Sequence, residues 1–298
     1  MAANSLYTQY KTANIAIKLI VINVAVFLFF TLTNWILQSP GVGLESWFVL
    51  PSNLPKLITQ PWGLITYAFL HGGFWHILWN MVFLYVFSQY VLNLFTEKRL
   101  LTLYFLGGIS GGVLFVAAYN LFPVFSNDLG YLMGASAAVN AIIVFIATYS
   151  PNSPIRIFIF NLKLWHVGAF VVLRDLLTLD ISDKAGGLIA HLGGAAFGYI
   201  YAQQLAKGND IGLWWERIMD KVISFFSGTT TKRKGDKRSR SKMRTVHKKK
   251  TTTTSSKRRL DKTEQQQKID AILDKISKSG YDSLSKAEKD FLFKAGKE

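Results

Sequence analysis

Long apolar runs, broken by short polar punctuation, organise the first two thirds of the chain. Windows of about 20 residues with sustained apolarity, the length a helix needs to cross a bilayer, fall at roughly 14–38, 64–93, 98–121, 134–150, 161–179 and 186–206. The first run follows a polar start with Lys11 and Lys18. It is long and no small-x-small cleavage site follows it, so it reads as a retained helix, not a signal peptide. The connection 39–63 mixes Trp47, Phe48, Leu50, Leu54, Leu57 and Trp62 with Pro51, Pro55 and Pro61. It cannot span, and is expected to lie partly embedded in the interface with its aromatic residues at headgroup depth.

Beyond residue 207 the pattern changes. Residues 208–228 carry Trp214 and Trp215 with charges at Glu216, Arg217, Asp220 and Lys221, as in an amphipathic helix lying on the inner membrane surface or packed on the body. Residues 229–261 show no apolar period and are expected to be a disordered basic linker. Over 262–298 the helical period returns with Ile269, Ile272, Leu273 and Ile276, and Ser285 with Glu288 forms a capping box ahead of Phe291 and Leu292. A small helical hairpin that docks on a partner or on the body is predicted. The expected fold is an all-α membrane protein: a six-transmembrane-helix bundle over 1–207 and a small cytoplasmic C-terminal helical segment.

Composition agrees with that division. Half of the 298 residues are hydrophobic and 17% are charged, against about 25% charged in ordinary soluble domains. The absence of cysteine removes disulfides, thiolate metal sites and a cysteine nucleophile, leaving serine, histidine and carboxylate chemistry. The net charge of +16 is lopsided: 10 basic against 6 acidic residues through 207, and 24 against 12 thereafter. Residues 232–259 hold 14 Lys and Arg against one Asp. Beside a membrane, attraction to anionic lipid, about 1 kcal/mol per basic residue near the surface, explains such a run more simply than nucleic acid, which is not an expected partner. Lys98, Arg99, Arg156, Lys163 and the tail mark one side, and Lys56 and Lys184 are the basic residues of the other. The bias places both termini in the cytoplasm, in an integral multi-pass protein of a plasma or inner membrane.

Strongly polar residues inside apolar spans are costly and are candidate functional sites. The second run contains His71-Gly72-Gly73-Phe74-Trp75-His76 and then Asn80, the fourth opens Gly134-Ala135-Ser136-Ala137, and the sixth contains Ala190-His191-Leu192-Gly193-Gly194 and Gly198. Each cluster has a plain alternative. His76 and Asn80, four apart on one helical face, can glue helices by hydrogen bonding, while Ser136 and the glycines can form a close-packing seam. The orientation, however, puts all three clusters in the outer half of the membrane. Ser136 falls in the first turn of its helix, His191 about one turn in, and His76 and Asn80 two to three turns into the second run. A serine hydroxyl becomes a nucleophile when an adjacent base takes its proton, which His191 can do without a metal. Free N–H groups at the Ser136 helix start, with the Asn80 amide and His76 imidazole, would form an oxyanion hole.

In these motifs the chain resembles the rhomboid family of intramembrane serine proteases. The resemblance rests on His76-x-x-x-Asn80, Gly134-x-Ser136 and Ala190-His191-x-x-Gly194-x-x-x-Gly198, in that order, over about residues 10–207. It implies a Ser136–His191 dyad without a third acid, His76 and Asn80 as oxyanion donors, and packing roles for Gly134, Gly194 and Gly198. It further implies cleavage of a peptide bond in or beside a substrate's transmembrane segment, with the fifth helix and the loop before the sixth as gate and cap. Ala137 stands where the family usually has glycine. No cofactor or metal is expected, and the implied partners are transmembrane protein substrates and membrane lipids.

The remaining candidates read more plainly. His71, about 140° around the helix from His76, is expected to pack or cap, and His166 to sit at the interface. Arg174 and Asp175 read as snorkelling or a local pair, with a latch on the fifth helix as the sharper alternative. Two other function classes compete for the same features. A catalytically inactive rhomboid-like protein that binds transmembrane helices would be favoured by loss of Ser136 or His191, and both are present. A small transporter would show internal repeats, and the sequence has none.

Overall fold

The structure is a computed structural model in which residues 6–38, 43–125, 129–157, 159–179, 185–227 and 256–295 are described. They form two compact units, 1–231 and 232–298. The basic linker predicted over 229–261 lies outside the described residues as far as 255, as does most of the cap loop before the sixth run.

In the first unit, α1 (Leu6–Thr12) leads into α2 (Ile15–Leu37), which starts at Asn14, whose side chain accepts from the Ile17 N–H. A folded connection follows: β1 (Leu50–Pro51), α3 (Leu54–Thr59) and α4 (Gly63–Thr66). Then come α5 (Phe74–Leu94), α6 (Glu97–Leu121), β2 (Tyr131–Leu132) and α7 (Ser136–Tyr149). A hairpin of β3 (Pro154–Ile157) and β4 (Phe160–Lys163) precedes α8 (Leu164–Leu177), α9 (Ala185–Ala206) and α10 (Leu213–Ser227). Among the described residues α2, α5 and α6 are long and apolar enough to cross a membrane, and α7 is apolar but shorter.

The six helices match the six apolar runs to within a few residues, with one displacement of consequence. The second run, predicted to be helical from 64, becomes a continuous helix only at Phe74. Two causes are visible. Gly72-Gly73 is a poor helix sequence, and the preceding carbonyls are claimed from outside: that of Ala68 accepts from the Tyr104 hydroxyl (2.8 Å) and that of Tyr67 from the Gly134 N–H (2.9 Å). His76 therefore lies in the first turn of its helix, not two to three turns in. The β3–β4 hairpin is likewise a departure from the all-helical expectation.

Every residue of α7 from Ala137 to Ala147 is buried, because α5, α6, α8 and α9 surround it. The connection before α5 docks alongside. Leu50 pairs with Leu132 and Pro51 with Tyr131, while Ser52 and Gly130 bond each other through Ser52 N–H to Gly130 O (2.9 Å) and Gly130 N–H to Ser52 Oγ (3.0 Å). It turns Trp47, Leu54, Ile58 and Trp62 outward, as an interfacial segment would. At the opposite end α10 packs on α6: Trp215 meets Phe105, Lys98 pairs with Asp220, and Arg99 pairs with Asp210, which also accepts from the Tyr201 hydroxyl (2.8 Å). Trp214, Val222, Ile223 and Phe225 stay exposed along α10.

In the second unit α11 (Ser256–Ser279) begins six residues ahead of the predicted hairpin, its first turns made of good helix formers. A turn at Gly280 leads to α12 (Lys286–Ala295). The capping box is present: Ser285 N–H donates to Glu288 Oε2 (2.7 Å) and Glu288 N–H to Ser285 Oγ (3.3 Å). Lys275 Nζ reaches both Glu288 oxygens at 3.0 Å, and the capping bonds and this ammonium hold the Glu288 carboxyl down at about 2.

Candidate active site

A turn fixes where α7 starts, and so where Ser136 sits. Gly134 has φ +128°, and a Cβ there would stand 2.7 Å from His76 Nε2, so both backbone sign and space call for glycine. Its N–H is held by the Tyr67 carbonyl, and the Tyr67 hydroxyl donates in turn to the Gly108 carbonyl on α6 (2.6 Å). Ser136 is the first residue of α7, where the N–H groups of the opening turn lack intrahelical acceptors and the positive end of the helix dipole gathers.

Backbone contact between α7 and α9 delivers the histidine. A Cβ on Gly194 would run into the Ala137 carbonyl, and one on Gly198 into that of Ala141, so only glycine permits this approach. His191, one turn before Gly194 on the same face, then places Nε2 2.7 Å from Ser136 Oγ. Ala137 finds its room opposite Gly111 of α6, which has no side chain to oppose the methyl.

The other ring nitrogen is also engaged. His191 Nδ1 lies 3.1 Å from Asp175 Oδ2, an oxygen that also accepts from Asn140 Nδ2 at 3.1 Å. Oδ1 accepts from Arg174, through Nε at 3.1 Å and through Nη2. The carboxylate is 1% exposed. Arg174 and Asp175 thus form the local pair that the sequence suggests, but the same carboxylate extends to α9, a contact that the sequence does not announce. Leu164, Gly168 and Asp175 are all buried in α8, and their spacings of four and seven put them on one helical face, which marks Asp175 as inward-facing without naming its partner.

His76 and Asn80 face the same cavity, of about 240 Å³, that receives Ser136 and His191. His76 Nδ1 accepts from the Gly72 N–H (3.4 Å), leaving Nε2–H on the side toward Gly134. Asn80 spends one amide hydrogen on the His76 carbonyl (2.9 Å) and has a second to offer. Trp75 and Trp79 of α5 and Val171 of α8 wall the cavity. His71 sits edge-on to His76, ring centroids 5.1 Å apart, and lines a separate cavity of about 630 Å³ bounded by α2. His166 stacks on Trp165 at the start of α8 and accepts from the Lys163 N–H. Among the described residues no His, Asp and Glu cluster could hold a metal ion. The cavity gathers a hydroxyl, a base in contact with it and hydrogen-bond donors, the parts that acyl transfer requires.

Comparison with known proteins bears on this arrangement. The Rhomboid domain family matches residues 59–208, and a family of unknown function (DUF6576) matches residues 253–295. The chain is 28% identical over 177 residues to presenilin-associated rhomboid-like protein A, mitochondrial, of Danio rerio, covering 58% of this chain and 43% of that one. It is 31% identical over 157 residues to RHOMBOID-like protein 12, mitochondrial, of Arabidopsis thaliana, covering 49% and 46%. With rhomboid protein 1, mitochondrial, of Saccharomyces cerevisiae it shares 27% over 214 residues, covering 67% and 56%. The chain thus spans about half the length of the curated relatives it matches.

Proposed function

Because the chain belongs to the rhomboid family, a family of integral membrane proteins, we propose that it is an intramembrane serine endopeptidase cutting a peptide bond in or near the transmembrane segment of membrane-protein substrates. The observation that carries this reading is the 2.7 Å contact between Ser136 Oγ and His191 Nε2 inside a cavity that also receives His76 and Asn80. His191 takes the hydroxyl proton as Ser136 Oγ adds to the scissile carbonyl. The developing oxyanion is met by the opening N–H groups of α7, the free Asn80 amide hydrogen and His76 Nε2–H. The imidazolium returns its proton to the departing amine, leaving an acyl ester on Ser136. Water, deprotonated by the same imidazole, then hydrolyses the ester.

The length of α7 supports a buried location for this chemistry. Its 14 residues give about 21 Å at 1.5 Å per residue, short of the ~30 Å hydrocarbon thickness. Six spans, formed by α2 and α5–α9, put the basic loops, α10 and both termini on the cytoplasmic side. The exposed Trp214, Ile223 and Phe225 of α10 lie against lipid there, and the basic segment attracts anionic headgroups.

Purified full-length protein in liposomes is the test. Ser136→Ala and His191→Ala should each abolish cleavage of a transmembrane peptide with an unchanged melting temperature, and a fluorophosphonate should label Ser136 only when His191 is intact. Retained cleavage in either variant refutes the proposal.

A further inference from the structure

We propose that Asp175 is a positioning residue for His191, so that the site works as a serine–histidine–aspartate array contributed by three different helices; this rests on the protease reading above. The geometry is that of a complete serine–histidine–aspartate array. Ser136 Oγ lies 2.7 Å from His191 Nε2, and His191 Nδ1 lies 3.1 Å from Asp175 Oδ2. With Nδ1–H donating to the carboxylate, the imidazole is held in the tautomer whose Nε2 lone pair faces the serine, and the imidazolium formed on proton uptake is stabilised. The carboxylate keeps its charge throughout. The proton moves from Ser136 Oγ to His191 Nε2 and onward to the leaving amine, never to Asp175.

The surroundings of Asp175 make its ionised form the fitting one. Among the groups that face it, Asn140 donates from α7, His191 from α9 and Arg174 from its own helix, with Arg174 opposite the single negative charge. Buried at 1% exposure, an unpaired carboxylate would be heavily disfavoured, and four hydrogen-bond contacts across its two oxygens remove that objection. The same contacts say what an amide would do. Two donors of Arg174 face Oδ1, so an asparagine would turn its oxygen to Arg174 and its NH2 to His191 and Asn140. His191 would then have to accept at Nδ1 and carry its hydrogen on Nε2, where it cannot take the serine proton. A plain packing role predicts no such asymmetry between amide and acid.

Steady-state cleavage of a fluorogenic transmembrane peptide in liposomes tests the assignment, with rates normalised to folded protein and melting temperatures measured alongside. Exchange of the acid for its amide in such arrays lowers kcat by about 10⁴-fold, and with the oxyanion donors intact Asp175→Asn is expected to lower kcat by at least roughly 100-fold with KM within about twofold of wild type. Asp175→Glu, which restores a carboxylate, should recover part of that loss. If Asp175→Asn misfolds because its NH2 opposes the Asn140 amide, Asn140→Ala combined with Asp175→Asn removes that donor, keeps Arg174 to orient the new amide, and should show the same kcat loss. An amide variant that keeps kcat within about threefold overturns the assignment, as does a loss borne by KM alone. Wild-type protein that neither cleaves the peptide nor takes a fluorophosphonate on Ser136 overturns the protease reading itself, and the assignment with it.

Discussion

Replacing Gly194 with alanine tests whether the approach of α9 to α7 sets the catalytic distance. An added Cβ would stand 2.8 Å from the Ala137 carbonyl carbon, and nearer still to its oxygen, where ordinary contact begins at 3.4 Å. The carbon alone demands about 0.6 Å of separation, and the oxygen raises this to about 1.4 Å. Ala137 adjoins Ser136 and Gly194 lies one turn from His191, so most of the shift is felt between Oγ and Nε2, now 2.7 Å apart. The pair would open beyond about 3.5 Å, the limit of a useful hydrogen bond. A misplacement of about 1 Å can reduce turnover about 100-fold. Stability should move less, because overpacking of about 1–3 kcal/mol is opposed by the gain of about 1 kcal/mol from replacing glycine inside a helix. Gly187→Ala is the control, since it lies on the same helix and an added methyl there would meet nothing within 4 Å. The assay is kcat for a transmembrane peptide in liposomes together with a thermal melt. If Gly194→Ala keeps kcat within about threefold of wild type, the backbone contact between α7 and α9 does not set the distance between Ser136 and His191.

Two further outcomes are expected. Asn80→Ala should lower kcat by about 10²–10³-fold, the usual consequence of losing one oxyanion donor, while leaving Ser136 open to the probe; an unchanged kcat would remove Asn80 from the site. In the second unit, the Glu288 carboxyl falls from 4.5 to about 2 on folding. A depressed carboxylate adds stability above its unfolded value and loses it as pH falls through the folded one. Hydrogen exchange over 286–295 should therefore be pH-independent in protection above about 5 and lose protection progressively between 4.5 and 2, a response that Glu288→Gln abolishes.

Much of this was legible in the sequence because bilayer helices need long apolar runs, and the ends of α2, α6 and α9 fall within a residue or two of those runs. Ser136, His191, His76 and Asn80 stood out because each is a polar residue in an apolar run. The start of α5 was hidden, since apolarity continues through 64–73 while the Tyr67 and Ala68 carbonyls bond to groups far along the chain. Asp175 was hidden differently. Its neighbour Arg174 offers a sufficient local partner, and only the rotation of α8 against α9 tells that Oδ2 points the other way.

The Tyr67 clamp has a consequence for the order in which the protein comes into being. Tyr67 is joined to Gly108, 41 residues on, and to Gly134, which sets the turn before Ser136. The serine must then wait a further 55 residues for its histidine. A nascent chain threaded into the membrane helix by helix thus carries an inert hydroxyl until α9 arrives. On the proposed protease reading, competence is acquired in one late step, when the body is nearly whole and no half-built copy can attack its neighbours.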